Sequence, residues 1–183
     1  MIVVTGAPRT GTSLVMQILG CLGLKLTGVD YHPSFGPKEF FPNGAWCLPT
    51  DEDEHGIIDH RYKGKAVKLF AGSLYQTESK LISKLIVCRR NSKDAVESSF
   101  KLMQVTPDLL GVEPTKENAR KLYEISYRMI EHYLRDNNVI STNIDFENVL
   151  RHPVLSVDKI KMFIGSEMNI TDAVKNINSG KGV

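Results

Sequence analysis

The stretch "MIVVTGAPRTGTSLVMQILG" (residues 1–20) decides the fold. Its first five residues, "MIVVT", form a short β-branched apolar run that reads as a buried parallel strand. From residue 11 onward, "GTSLVMQILGCLGL" places Leu14, Ile18, Leu19 and Leu22 on one helical face. Between them lies "TGAPRTGTSL" (5–14), which almost fits the phosphate-loop pattern G-x-x-x-x-G-K-[ST]. Gly6, Gly11 and Ser13 fall on that frame, but Thr12 stands where the lysine belongs and an arginine, Arg9, has entered the loop. Strand, glycine-rich turn and helix in succession are the context that makes an anion-binding loop credible.

The chemistry of such a loop follows from its residue types. Gly6 and Gly11 permit a tight turn and close approach to an anion, and the amides opening the next helix point at it. Arg9, Thr10, Thr12 and Ser13 add a cation and three hydroxyls. A lysine acts as a point charge, whereas an arginine presents a planar fork to two oxygens of one tetrahedral group. The loop residues Ala7, Pro8, Arg9, Thr10, Gly11, Thr12 and Ser13 are therefore the first candidate binding set.

Outward from the loop, strands and helices alternate. "KAVKLF" (65–70) and "KLIVCRR" (84–90) read as strands, and a helix follows at 92–104 with Asn91 or Ser92 as its N-cap. Residues 115–137 form the longest helix, with Leu122, Ile125, Met129 and Tyr133 expected inward. "NVISTN" (138–143) reads as another strand, "FENVLRHP" and 157–165 as two short helices, and "NSGKGV" as an unstructured tail. The alternation predicts an α/β fold: three layers, P-loop-like, with a mostly parallel central sheet flanked by helices. Ligands of such sheets sit at the carboxyl ends of the strands, where the 6–13 loop and Arg89/Arg90 both fall.

Length and composition agree with one soluble domain over 1–183. A net charge of +2 provides no basic face that would argue for nucleic acid. No apolar run reaches the roughly 20 residues needed to span a bilayer, and "MIVV" is too short for a signal-peptide core. Cys21, Cys47 and Cys88 lack metal-ligand spacing, which suits buried thiols in a reducing cytoplasm. Residues 27–64 are rich in Pro and Gly and carry the aromatics Tyr31, Phe35, Phe40, Phe41 and Trp46, the signature of an ordered lid or binding wall. Those aromatics suit a sugar, phenol or lipid-like group, and equally a loop packed on its own core. His55, Asp59 and His60 lie in a charged stretch with no second cluster and read as a solvated loop.

A second motif lies in "LIVCRRNSKDAVESSF" (85–100). Arg90 closes a strand and Ser98 lies eight residues on, just over two helical turns. Spacing alone is equally compatible with a strand-end cation and a solvated serine. Together with the first loop, however, the motif resembles the sulfotransferases that use 3'-phosphoadenosine 5'-phosphosulfate (PAPS). Their 5'-phosphosulfate loop is similar to "TGAPRTGTSLV" (5–15), and their 3'-phosphate motif has an arginine and a serine in the places of Arg90 and Ser98. "IDFENVLRHPVLSVDKIKMFIG" (144–165) resembles a third family segment, so the resemblance runs over 1–24 and 66–165.

That resemblance implies a sulfuryl transfer from PAPS to a hydroxyl or amine acceptor, a small molecule or glycan, without a metal ion. It implies that Arg9 contacts the bridging oxygen between phosphate and sulfate, and that adenosine 3',5'-bisphosphate (PAP) leaves. Animal members use a histidine base in a K-x-H pattern, but the matching "KLF" (68–70) holds Lys68 and then Phe70. Other branches use a glutamate after the first helix, which makes Glu39 in "PKEFF" the candidate base, with His32 and the acidic run from Asp51 as rivals. "NGAWC" (43–47) resembles a further family segment, with Cys47 in the glutamate place. Two other readings stay open: a P-loop nucleotide or small-molecule kinase, and a non-catalytic PAP- or PAPS-binding module.

Overall fold

The computed structural model describes residues 1–28, 37–40, 44–46, 59–106 and 111–179. His32, Cys47, Asp51 and His55 lie outside the described residues, as do Tyr31, Phe35 and Phe41. In chain order the elements are β1 (Ile2–Gly6), α1 (Thr12–Cys21), β2 (Lys25–Leu26), β3 (Lys65–Lys68), α2 (Ala71–Gln76), β4 (Lys84–Arg89), α3 (Ser92–Val105), α4 (Lys116–Asp136), β5 (Ser141–Asp145), α5 (Phe146–Arg151), α6 (Pro153–Ile164) and α7 (Thr171–Asn178). Single 3-10 turns occur at Lys38–Phe40, His60–Tyr62 and Ser79–Leu81.

The five strands form one sheet in the order β2-β3-β1-β4-β5. Every pairing is parallel, so the expected mostly parallel sheet is parallel throughout its described strands. β1 lies in the middle with all five residues buried, as its unbroken apolar run requires. Ile2 and Val4 face one layer, with α1, α5, α6 and α7. Val3 faces the other, with Leu74 of α2 and Tyr127, Ile130 and Tyr133 of α4. Each fully buried aliphatic side chain contributes about 1.5–3 kcal/mol. These two apolar clusters hold the three layers together, and α3 packs along α4 outside the second.

Register sets the position of the site. Gly6 pairs with Cys88 and Arg89 with Asp145, so the carboxyl ends of β1, β4 and β5 finish side by side. The 7–11 loop, Arg90 and Phe146 leave the sheet from that edge.

Some expectations are corrected. α4 turns a stripe inward that keeps Tyr133 but not its expected companions: Ala119, Tyr127 and Ile130 are buried with it, while Ile125 is 50% exposed and Leu122 and Met129 only half-buried. Hydroxyl partners for Tyr127 and Tyr133 lie under the helix and reward that stripe. α6 starts at Pro153, four residues earlier than expected, with proline in the first turn where its missing N–H costs nothing. Asn178, expected in an unstructured tail, closes α7, whose Ala173 and Ile177 are buried against the first layer. α2 and β2 were not foreseen.

Candidate functional site

The loop between β1 and α1 is shaped by two glycines. A Cβ on Gly6 would lie 2.5 Å from Thr10 Oγ1 and 2.8 Å from the Cys88 carbonyl, so only glycine lets β1 end against β4 there. Gly11 has φ 90°, and a Cβ on it would lie 2.5 Å from Cδ2 of Phe146. It is the N-cap of α1 and adopts the left-handed conformation that glycine enters freely.

Three successive carbonyls of the loop are occupied by side chains. Thr10 Oγ1 donates to the Ala7 carbonyl at 2.7 Å, Ser99 Oγ to that of Pro8 at 3.4 Å, and Arg90 Nη1 to that of Arg9 at 3.2 Å. In a trans peptide the next N–H points the opposite way, so the Arg9 and Thr10 amides are turned away from these donors. The first N–H groups of α1, from Thr12 on, have no acceptor within their own helix. The helix dipole adds partial positive charge at the same place. Thr12 and Ser13 are half-buried in that first turn.

Arg9 itself sits at φ 65°, a left-handed conformation that costs a non-glycine residue about 1–2 kcal/mol. Its Nε donates to Ser98 Oγ at 3.1 Å and its Nη1 to the Phe40 carbonyl at 2.6 Å. Burial, and then the charge of Arg90, lowers its pKa to about 10, which leaves it protonated at neutral pH. Arg9 thus stands between the two motifs: Ser98 touches its side chain and Arg90 its carbonyl.

β4 and α3 deliver Arg90 and Ser98. Asn91 is the N-cap of α3, its side chain accepting from the Lys93 and Asp94 amides at 3.0 and 3.4 Å. The Arg90 carbonyl accepts from Tyr123 Oη at 2.9 Å and the Cys88 carbonyl from Tyr127 Oη at 2.7 Å. Burial holds the Tyr127 hydroxyl well above the usual range, so it remains a donor. Arg90 has no carboxylate within ion-pair distance among the described residues, and its buried Nε has no acceptor there. A buried donor without an acceptor costs about 1–3 kcal/mol, and a phosphate oxygen would relieve it.

The base candidates are placed unevenly. Glu39 lies in the 3-10 turn Lys38–Phe40, exposed, one residue from the carbonyl that Arg9 holds. Lys68 ends β3 opposite Val4, half-buried, with its Nζ 5.9 Å from the Phe70 ring centroid. Phe70, in the histidine place, is 48% exposed. Asp59 caps the turn His60–Tyr62 by accepting from the Arg61 amide at 2.8 Å. Among the described residues no three His, Cys, Asp or Glu side chains group as metal ligands. No described helix is long and apolar enough to cross a membrane.

Sequence reasoning missed Phe146, Tyr123 and Tyr127 as parts of this site, and Phe40, named only as a lid aromatic, enters it through its carbonyl. An aromatic directly after a strand, as in "IDF" (144–146), was the available signal for Phe146.

No protein-family model and no curated protein matches the chain. A solved structure does: a mouse sulfotransferase, SULT7A1, in complex with PAP, with a TM-score of 0.62 over 96% of this chain. The chain has the sulfotransferase fold. Identity to that neighbour is 20%, so the likeness is one of fold, and the chain spans 64% of the neighbour's length. Within the sulfotransferase fold, loop, strand end and helix meet at one edge of the sheet, where the two motifs were expected to converge.

Proposed function

We propose that this chain is a PAPS-dependent sulfotransferase acting on a small-molecule or glycan hydroxyl or amine in the cytoplasm. The observation that carries the proposal is the convergence of Arg9, Ser98 and Arg90, far apart in sequence, around a loop whose carbonyls are already occupied. The residues fit a donor with two anionic ends. The loop amides, Thr12 and Ser13 would take the 5'-phosphosulfate, and Arg90 with Ser98 the 3'-phosphate. The orphaned Arg90 Nε is what such an anion would satisfy. PAPS supplies a sulfuryl group that an acceptor oxygen or nitrogen attacks in line, breaking the bond to the phosphate oxygen and releasing PAP.

The chain's own residues then have defined tasks. Arg9 and the α1 amides stabilise the charge that develops on the leaving oxygen, the kind of preorganised electrostatics that usually dominates catalysis. Glu39 is the candidate to accept the acceptor's proton, and the Arg9–Phe40 hydrogen bond ties its turn to the loop. A second reading, a PAP- or PAPS-binding module without transfer, is favoured by Phe70 in the base position and by the exposure of Glu39.

Calorimetry with PAP, adenosine 5'-phosphosulfate and Mg·ATP tests the binding reading, and release of PAP from PAPS in the presence of an acceptor panel tests transfer. PAP is expected to bind and Mg·ATP not. Arg90→Ala should weaken PAP about ten- to a hundredfold, the loss of a charge-assisted contact, and leave adenosine 5'-phosphosulfate nearly unchanged. Equal loss for both ligands would overturn the 3'-phosphate assignment. Binding without transfer would select the second reading.

A further inference from the structure

We infer that Phe146 is a positioning residue for the donor site: its ring holds the Arg90 guanidinium ready for a 3'-phosphate. This rests on the donor reading proposed above and adds to it a group from a third part of the chain, the β5–α5 junction. Phe146 is the first residue of α5 and only 8% exposed. The Arg90 guanidinium lies 4.5 Å from its ring centroid, and the same ring lies where a side chain on Gly11 would have to go. One aromatic ring therefore packs on both motifs at once.

The adjacent Arg89 shows what is particular about Arg90. Arg89 stacks on Tyr127 at 4.7 Å, but it also donates to Asn143 Oδ1 at 3.1 Å and meets Glu131 at 3.5 Å. Its charge is answered by a carboxylate. Among the described residues Arg90 is held by neutral groups, a ring face and the Arg9 carbonyl, with Nε left over. A guanidinium fixed in this way is oriented without being neutralised. An arginine side chain loses rotamer freedom when it is fixed, and holding it in advance removes part of that cost from anion binding.

The test compares Phe146→Leu, which keeps an apolar side chain in the core, with Phe146→Tyr, which keeps the ring. Cation–π contacts at largely desolvated sites contribute about 1–2 kcal/mol, so Phe146→Leu should weaken PAP about 5- to 30-fold. Its affinity for adenosine 5'-phosphosulfate should stay within about twofold, and Phe146→Tyr should retain PAP binding to the same margin. In an Arg90→Ala background Phe146→Leu should change PAP affinity no further. A loss shared by both ligands, or one that persists without Arg90, would mean that Phe146 only supports the core and would overturn the proposal. Nuclear magnetic resonance of the Arg90 Nε–H in ligand-free protein supplies a readout independent of any donor. A ring-current shift present in the native chain and in Phe146→Tyr, and lost in Phe146→Leu, is expected. PAP binding without that shift would refute the stack and leave the donor reading standing. The shift without PAP binding would refute the donor reading and the positioning role with it.

Discussion

Gly11→Ala tests the loop geometry most directly. Two independent costs are legible at this position. The backbone stands at φ 90°, where an L side chain is disfavoured by about 1–2 kcal/mol. The new methyl would also lie 2.5 Å from Phe146 Cδ2, and the ring is wedged in the first apolar layer. Overpacking of that kind costs about 1–3 kcal/mol. The sum is about 2–5 kcal/mol. In a domain of this size 1 kcal/mol moves the melting temperature about 2–4 °C, so a fall of about 4–20 °C is expected. Thermal unfolding measures that fall and urea unfolding the free energy, each followed by circular dichroism and by the fluorescence of Trp46, the single tryptophan. The steric part is separable because it needs the ring. Introduced into Phe146→Leu, the same substitution should cost about 1–3 kcal/mol less than in the native chain, leaving the backbone term. A cost below about 0.5 kcal/mol, or one identical in both backgrounds, would refute the reasoning.

Three further outcomes are expected. Arg9→Ala should lower turnover more than donor affinity if, as proposed, its contact strengthens as charge reaches the leaving oxygen; steady-state kinetics showing a change in affinity alone would refute that role. Tyr127→Phe should cost about 0.5–1.5 kcal/mol in denaturant unfolding, the worth of the hydrogen bond to the Cys88 carbonyl, with no change if that bond is absent in solution. Cys88 is fully buried and its thiol is raised far above the usual range by that burial, so native protein treated with iodoacetamide at mildly alkaline pH should remain unmodified there until unfolded; rapid labelling, read by mass spectrometry, would show that β4 opens.

Local signals were readable where one element could be recognised by itself. β1 and α1 have strong periods and a glycine turn between them, and β4 with Arg90 and the Asn91 cap follows the same logic. α2 was not readable because six residues containing Gly72 and Ser73 carry no period. β2 has two residues and exists only through pairing with β3. α4 has more than one plausible inward stripe, and its choice came from outside the helix: Tyr127 and Tyr133 find carbonyl partners beneath them, while Ile125 remains half exposed.

By itself the sequence determined which candidate anion-binding parts exist: the Gly6–Gly11 loop with Thr12 at the lysine place and Arg9 inside it, and Arg90 with Ser98 eight residues later. Their types and spacings are local properties, set by backbone freedom and helix geometry. The tertiary structure decided their relation. Parallel register brings Gly6 beside Cys88 and Arg89 beside Asp145. That juxtaposition lets Arg9 reach Ser98 across 89 residues and lets Phe146 pack on both Gly11 and Arg90. No period or spacing encodes such contacts, because they depend on where separate strands end, and that is settled only when the sheet has assembled.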